Sequence, residues 1–352
     1  MPKGKGFLVG AVQMAGPPLP PAANPCAKEF DLDALDARVR ATTARALALF
    51  ERAGRMGLDL VLGGEDMQHV GHVIPLPGRP SLLRRYSQTV PGPLTEEIAA
   101  VARRHNMHVA ACFFERAGGR FYNTAVLIDA GGRLLGRYRK VHLPPQEACV
   151  LTPGRQMPVF PTRLGKVGFM ICYDIMFPET ARCLALNGAD LLCHPTAGYG
   201  WTERIGDIQA RARAVDNDVH VVIACSRRSQ VIDTWGDVLA DAGSRTDFIV
   251  KARTDPRRHK TFLPGHFHSQ MSGLERIRDE LARERVPSAY GVLTRPAPAV
   301  LSAAKAPRRI HTKARKAFIR RLLAGELKAL AAGRPGKCHW TARKPAAKRK
   351  AK

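Results

Sequence analysis

Over the first 294 residues the apolar positions switch between two periods. "FLVGAVQM", "LDLVLGG", "MHVAACFFE", "YNTAVLIDA" and "LLGRYRK" are short apolar or alternating runs of strand length. Among them, "DLDALDARVRATTARALALFERAGRMG" and "LTEEIAAVARRHN" repeat apolar residues every three or four positions, as amphipathic helices do, the second with a capping candidate at Thr95 or its neighbours. Gly131-Gly132 joins two of the strands as a turn. The second half repeats the theme: strand "KVGFMIC", helix "PETARCLALNG" stopping at Gly188, strand "ADLLCHP", helix "ERIGDIQARARAVDN", then strands in "VHVVIACS", "SQVIDTWGDVLADAG" and "DFIVKAR". Such alternation predicts α/β layers with helices covering sheets. There is no short-period repeat, only two similar halves.

Composition fixes the boundaries of that pattern. The 352 residues are 45% hydrophobic, ample for a packed core. No stretch reaches the roughly 18 uninterrupted apolar residues of a spanning helix. Lys3 and Lys5 before "GFLVGAV", with "PPAA" beyond, imitate a secretory leader, but Gln13 interrupts the run and the segment reads as a first strand. The eight cysteines include no C-x-x-C. Cys112, Cys193 and Cys225 lie in apolar strands, as buried free thiols of a reducing cytoplasm do, rather than a disulfide framework or a zinc site.

The net charge of +26 is uneven. Residues 295–352 hold 18 Lys/Arg against one acid, Glu326, or +17; residues 1–294 hold 38 basic and 29 acidic side chains, or +9. "RPAPAVLSAAKAP" is linker-like, "ARKPAAKRKAK" is too polar to fold alone, and "KARKAFIRRLLAGELKAL" between them is a candidate basic amphipathic helix. The division expected is a domain over 1–294 and a basic, partly disordered extension over 295–352. That extension is either a solvated helix docked on the domain or a contact for nucleic acid or an anionic surface.

Three predicted strands end in a reactive group. Glu65 follows "LDLVLGG", Lys140 follows "LLGRYR" and Cys172 follows "KVGFMI". In α/β folds, sites collect at such ends. A thiol needs a base to become a nucleophile, and a carbonyl under attack needs a cation or N–H groups where negative charge develops. Taken singly, each has a plainer reading: Cys172 a small buried hydrophobe, Glu65 a cap, Lys140 one cation of "RYRK".

Taken together, "LDLVLGGED", "GRYRKVHLPPQE", "VGFMICYDIMFPETAR", "ARAVDNDVHVVIA" and "VIDTWGDVLADAG", in this order from about residue 6 to about residue 250, resemble the nitrilase, or carbon–nitrogen hydrolase, superfamily. "LARERVPSAYGVL" at 281–293 is similar to a C-terminal segment of some members. The resemblance implies a four-layer α-β-β-α sandwich that pairs into homodimers or larger homo-oligomers, and no cofactor or metal. By position it makes Glu65 the general base, Lys140 the transition-state stabiliser, Cys172 the nucleophile and Glu147 a second glutamate that positions substrate and lysine. The N–H of Tyr173, beyond the elbow, would join Lys140 at the oxyanion. "CYD" resembles the amidase and carbamoylase branches, so hydrolysis of an amide or N-carbamoyl compound is expected. The alternatives are a nitrile hydrolase of the same superfamily, or a binding protein that acts through its basic tail.

Two departures stand out: Gly64-Glu65 replaces the more usual Pro-Glu, and nothing in the family matches residues 295–352. Ile175 and Met176 follow the nucleophile closely where carbamoylases of the family carry an arginine, so an apolar wall is expected there, favouring neutral or cationic substrates. A clamp for a substrate carboxylate would have to come from Arg79, Arg84 or Arg85, in the loop between Asp66 and Pro93.

Overall fold

The computed structural model describes residues 6–24, 28–71, 80–144, 147–198, 203–263 and 266–294. The expected basic extension and its amphipathic helix lie outside the described residues. The first half runs β1 (Phe7–Gln13), α1 (Leu32–Arg55), β2 (Leu60–Leu62), α2 (Pro80–Tyr86), α3 (Pro93–His105), β3 (His108–Ala117), β4 (Arg120–Ile128) and β5 (Leu134–Arg139). The second runs β6 (Val159–Thr162), β7 (Gly165–Phe169), α4 (Pro178–Leu186), β8 (Leu191–Thr196), α5 (Glu203–Asn217), β9 (His220–Cys225), β10 (Gln230–Ile232), β11 (Val238–Asp241) and β12 (Phe248–Thr254). Two short helices, α6 (Phe267–Ser272) and α7 (Ile277–Arg283), and a 3-10 segment Pro287–Thr294 follow.

Two six-stranded sheets result, ordered β12-β1-β2-β3-β4-β5 and β11-β10-β9-β8-β7-β6. In each, three neighbouring strands are parallel, β1-β2-β3 and β7-β8-β9, and the flanking pairs are antiparallel. Strand alternation sorts the side chains into layers. Leu60, Leu62, Ala110, Cys112, Ala125 and Leu127 of one sheet meet Val167, Phe169, Leu191, Cys193, Val222 and Ala224 of the other in a core between the sheets. Their neighbours face outward: Val61, Val109, Ala111 and Val126 pack under α1 and α3, and Leu192, Val221 and Ile223 under α4 and α5. Strands covered on both faces carry near-continuous apolar runs, and the result is the four-layer α-β-β-α sandwich.

Three details differ from the sequence expectation. Thr95 is not the cap residue of α3. The N-cap is Gly92, and Thr95 reaches back to accept from its N–H at 2.8 Å. The stretch from Asp66 to Pro93 holds α2, whose Arg85 pairs with Asp36 of α1; Arg84 is exposed and Arg79 lies outside the described residues. Finally, β6 was not among the expected elements: it has four residues and an internal proline, which an edge strand tolerates.

Candidate active site

Glu65, Lys140 and Cys172 converge where β2, β5 and β7 end, all three running the same way in their sheets. The base and lysine come from one sheet and the thiol from the other, so the site straddles the seam between them. The backbone carbonyl of Asn123 accepts from the Lys140 N–H at 2.8 Å, and the N–H of Gly154 donates to the Lys140 carbonyl at 2.8 Å. A Cβ at Gly154 would lie 2.0 Å from the Arg139 carbonyl oxygen, so that close approach requires glycine. Gly64, in contrast, has open space where a Cβ would stand, and Glu65 reaches the site without the proline more usual before it.

Lys140 is wholly buried. Its Nζ donates to Glu65 Oε1 at 3.0 Å and to Glu147 Oε1 at 2.9 Å. Glu65 also accepts from Asn123 Nδ2 at 2.9 Å and, on Oε2, from the Ala197 N–H at 2.8 Å. Asn123 is itself oriented by the Cys112 thiol, which donates to its Oδ1 at 3.3 Å. Glu147 Oε2 is buried without a hydrogen-bond partner among the described residues. A buried carboxylate oxygen left unpaired is costly, and it offers an acceptor to a donor from outside.

Cys172 is half-buried at φ 45°, a left-handed backbone that L residues adopt only when their surroundings enforce it. The strain turns the chain from β7 into a 3-10 helix, Cys172–Met176. Its first internal hydrogen bond is Asp174 N–H to the Ile171 carbonyl, so the N–H of Tyr173 precedes that ladder at the open N-terminal end.

The charges explain the resting state. Burial pushes the Cys172 thiol up, the Glu65 and Glu147 carboxylates push the same way, and Lys140 and a hydrogen bond from Thr196 only partly oppose them. The sulfur therefore rests as a thiol. Burial would raise Glu65, but the Lys140 charge and the hydrogen bonds from Lys140, the Ala197 N–H and the Cys172 thiol outweigh it and hold the carboxyl below its ordinary value. Lys140 is pushed well above its usual value: burial disfavours its charge, and the charges of Glu65 and Glu147, with the hydrogen bond to Glu147, more than compensate. Glu147 is raised to about 6 by burial, with the Glu65 charge adding and Lys140 opposing. A thiol beside an anionic glutamate, with an ammonium behind it, is the combination that thiol-based nucleophilic chemistry requires.

A further carboxylate ties the two strand ends together. Buried Asp174 accepts from Tyr138 Oη at 2.7 Å and the Ile171 N–H at 2.9 Å on Oδ2, and from the His142 N–H at 2.9 Å on Oδ1, which also meets His142 Nδ1 at 2.9 Å. Tyr138 and His142 bracket Lys140, and Ile171 precedes Cys172. Sequence reading brought together Glu65, Lys140, Glu147 and Cys172 but missed Asn123, Asp174 and Ala197. The one signal for Asn123 was a polar residue inside the apolar run "YNTAVLI", where a buried amide needs partners.

Comparison with known proteins gives the family. The family model described as carbon-nitrogen hydrolase matches residues 8–260. Omega-amidase NIT2 of Bos taurus is 34% identical over 200 residues, 49% of this chain and 70% of that protein. Saccharomyces cerevisiae Nit3, described as a member of branch 10 of the nitrilase superfamily, aligns with TM-score 0.57 at 26% identity, covering 71% of this chain and 90% of its own. A variant of the amidase from Nesterenkonia sp. AN1, solved with the acetamide moiety of fluoroacetamide added covalently at its active-site cysteine, aligns with TM-score 0.58 at 20% identity, over 82% of this chain and 98% of its own. With the sandwich, the strand-end glutamate, lysine and cysteine, and a match over most of its length, this chain belongs to the carbon–nitrogen hydrolase family.

Proposed function

We propose that the protein hydrolyses a carboxamide through a thioester on Cys172, and the observation that carries this is the contact of Glu65 with both Cys172 and Lys140 at a strained elbow. Glu65 takes the thiol proton as sulfur attacks the carbonyl carbon. The C=O electrons move onto oxygen, where Lys140 Nζ and the Tyr173 N–H hold the oxyanion. On collapse the C–N bond breaks, and Glu65 passes its proton to the departing nitrogen, which leaves as ammonia or an amine. Water then loses a proton to Glu65 and attacks the thioester; the acid departs and the proton returns to sulfur. Glu147 keeps Lys140 aimed, and its unpaired Oε2 accepts an N–H of the substrate amide. Every proton is accounted for by these groups.

Three coarser features fit the reading. Buried, unpaired Cys112, Cys193 and Cys225 support a reducing cytoplasm, and among the described residues no helix is long and apolar enough to cross a membrane. Ile205 and Ile208, 47% and 57% exposed on α5, support homodimer pairing. The extension 295–352 we assign to polyanion contact outside the catalytic domain, from its charge alone.

The test is substitution with trapping. Cys172→Ala, Glu65→Gln and Lys140→Ala should each lower turnover of simple amides by roughly 10³-fold or more, as groups acting as a unit do, with unchanged circular dichroism. Mass spectrometry should find an acyl adduct on the wild type and none on Cys172→Ala. An active Cys172→Ala protein sinks the mechanism.

A further inference from the structure

Glu65 and Glu147 share a single ammonium, that of Lys140, so the buried centre carries excess negative charge when both carboxyls are ionised. The neutral donors each carboxylate finds then decide which of them keeps its charge. Asn123 of β4, 2% exposed, serves both. Its Nδ2 donates to Glu65 Oε1 at 2.9 Å, and a second hydrogen bond from its side chain reaches Glu147.

An ionised carboxylate only accepts, so the amide must turn its NH2 to the glutamates and its Oδ1 the other way. That leaves a buried carbonyl oxygen in need of a donor. The donor is Cys112 of β3, whose Sγ lies 3.3 Å from Oδ1. The two are diagonal neighbours across the β3–β4 pair, since Cys112 stands opposite Ala125 and Asn123 opposite Phe114. Cys112 is wholly buried, and burial together with the Glu65 charge pushes its thiol well up, so the hydrogen stays on sulfur. The same sulfur accepts from the Asp66 N–H, one residue beyond Glu65. A ring of contacts thus leaves Glu65 through its chain neighbour Asp66 and returns to its side chain by way of Cys112 and Asn123.

We propose that Asn123 and Cys112 are positioning residues of the general base: the thiol locks the amide in one orientation, and the amide holds the Glu65 carboxylate ionised and aimed at Cys172. The other groups around Glu65 cannot replace it. Lys140 favours the ionised form, Glu147 and Asp66 oppose it when charged, the Cys112 and Cys172 thiols are neutral, and burial keeps His194 from taking a proton. Glu65 can take the thiol proton only as the anion, so activity is present above its titration and lost as pH falls through it. Removing the amide raises Glu65 and moves that acid limb to higher pH.

The assignment rests on the proposed thioester chemistry, and two readouts separate them: turnover of butyramide, and alkylation of Cys172 by iodoacetamide followed on its peptide by mass spectrometry. Alkylation needs the thiol activated by Glu65 but no amide hydrolysis. In Asn123→Ala, kcat should fall about 10²-fold with KM within about threefold, and the acid limb of both pH profiles should move up by about one pH unit. Cys112→Ala should lower kcat about tenfold, and Cys112→Ser, which keeps a donor there, should stay within about threefold of the wild type. Added to Asn123→Ala, Cys112→Ala should cost no more than about threefold further, because the thiol acts through the amide. Unmoved acid limbs in Asn123→Ala, or a Cys112→Ala loss as large in that background as in the wild type, overturns the assignment. Should Asn123→Ala lose its fold by circular dichroism, the serine variant decides: equal losses in Cys112→Ala and Cys112→Ser reduce the thiol to packing. If no amide is hydrolysed but the alkylation profile shifts as stated, the positioning stands and the proposed reaction falls.

Discussion

Asp174 has no direct role in bond making, yet it is the residue on which the site's geometry turns. Its carboxylate holds Tyr138 and His142 on one side and the Ile171 N–H on the other, so the strand end that carries Lys140 and the elbow that carries Cys172 are fixed to one group. Asn at this position has the same size but would put an NH2 against backbone donors. Asp174→Asn is therefore expected to lower kcat by about 10²-fold with a smaller change in KM, the order a misplacement of 1 Å produces. Thermal unfolding should fall by only a few degrees. A kcat within twofold of the wild type at a lowered midpoint would reduce Asp174 to a structural role. That residue also marks the limit of what the sequence discloses. Glu65, Lys140 and Cys172 each follow an apolar run, a signal carried by neighbours in the chain. Asp174 was read as a branch marker in "CYD", because its partners lie 32 and 36 residues away across the seam. Asn123 likewise meets Glu65 only through the register that sets it opposite Phe114.

Elements with strong period and good length were legible; short ones set by tertiary contact were not. α1, with 24 residues, and the buried strands follow directly from the pattern, whereas α2, α6, α7 and β6 have seven residues or fewer. The segment after β12 shows what holds such pieces. His259 is buried, with Nε2 2.9 Å from Asp190 Oδ1 and Nδ1 3.4 Å from Asp218 Oδ2, while Arg278 of α7 lies 3.2 Å from Asp190. Burial and the nearby Arg278 lower the imidazole's affinity for a proton, but the hydrogen bonds to Asp190 and Asp218 more than offset them and raise it to about 9. A histidine raised above its unfolded value adds stability that is fully present below about pH 6.5 and is lost as pH climbs through 9. The loss should be on the order of 3 kcal/mol. Urea unfolding at pH 6 and pH 9.5 should show a steeper fall for the wild type than for His259→Gln. Equal slopes would show that His259 is not what clamps this segment to the sheet.

At the scale of the whole molecule, two similar halves each contribute a three-stranded parallel centre, and the reactive groups meet only because the halves stack face to face. The clustered groups run from Glu65 to Ala197, and the family match ends at residue 260. The charge does not follow that boundary: residues 295–352 carry 18 basic side chains against one acid. A chain ending at residue 294 is therefore expected to keep kcat/KM for amides within about twofold, since no part of the site is removed. It should also lose retention by duplex DNA, RNA and anionic vesicles in gel-shift and sedimentation assays. For the full chain, affinity should fall steeply with salt, as counterion release requires when many cations meet a polyanion. Many cations of residues 1–294 are neutralised in ion pairs, such as Arg45 with Asp247 and Arg163 with Asp59, and the net +9 left over supplies only a weak, diffuse attraction. Undiminished, salt-sensitive binding by the shortened chain would place the polyanion contact on the sandwich itself. Loss of solubility and of amide turnover together would show instead that "KARKAFIRRLLAGELKAL" lays its apolar residues against the core, and that the catalytic domain does not end at residue 294.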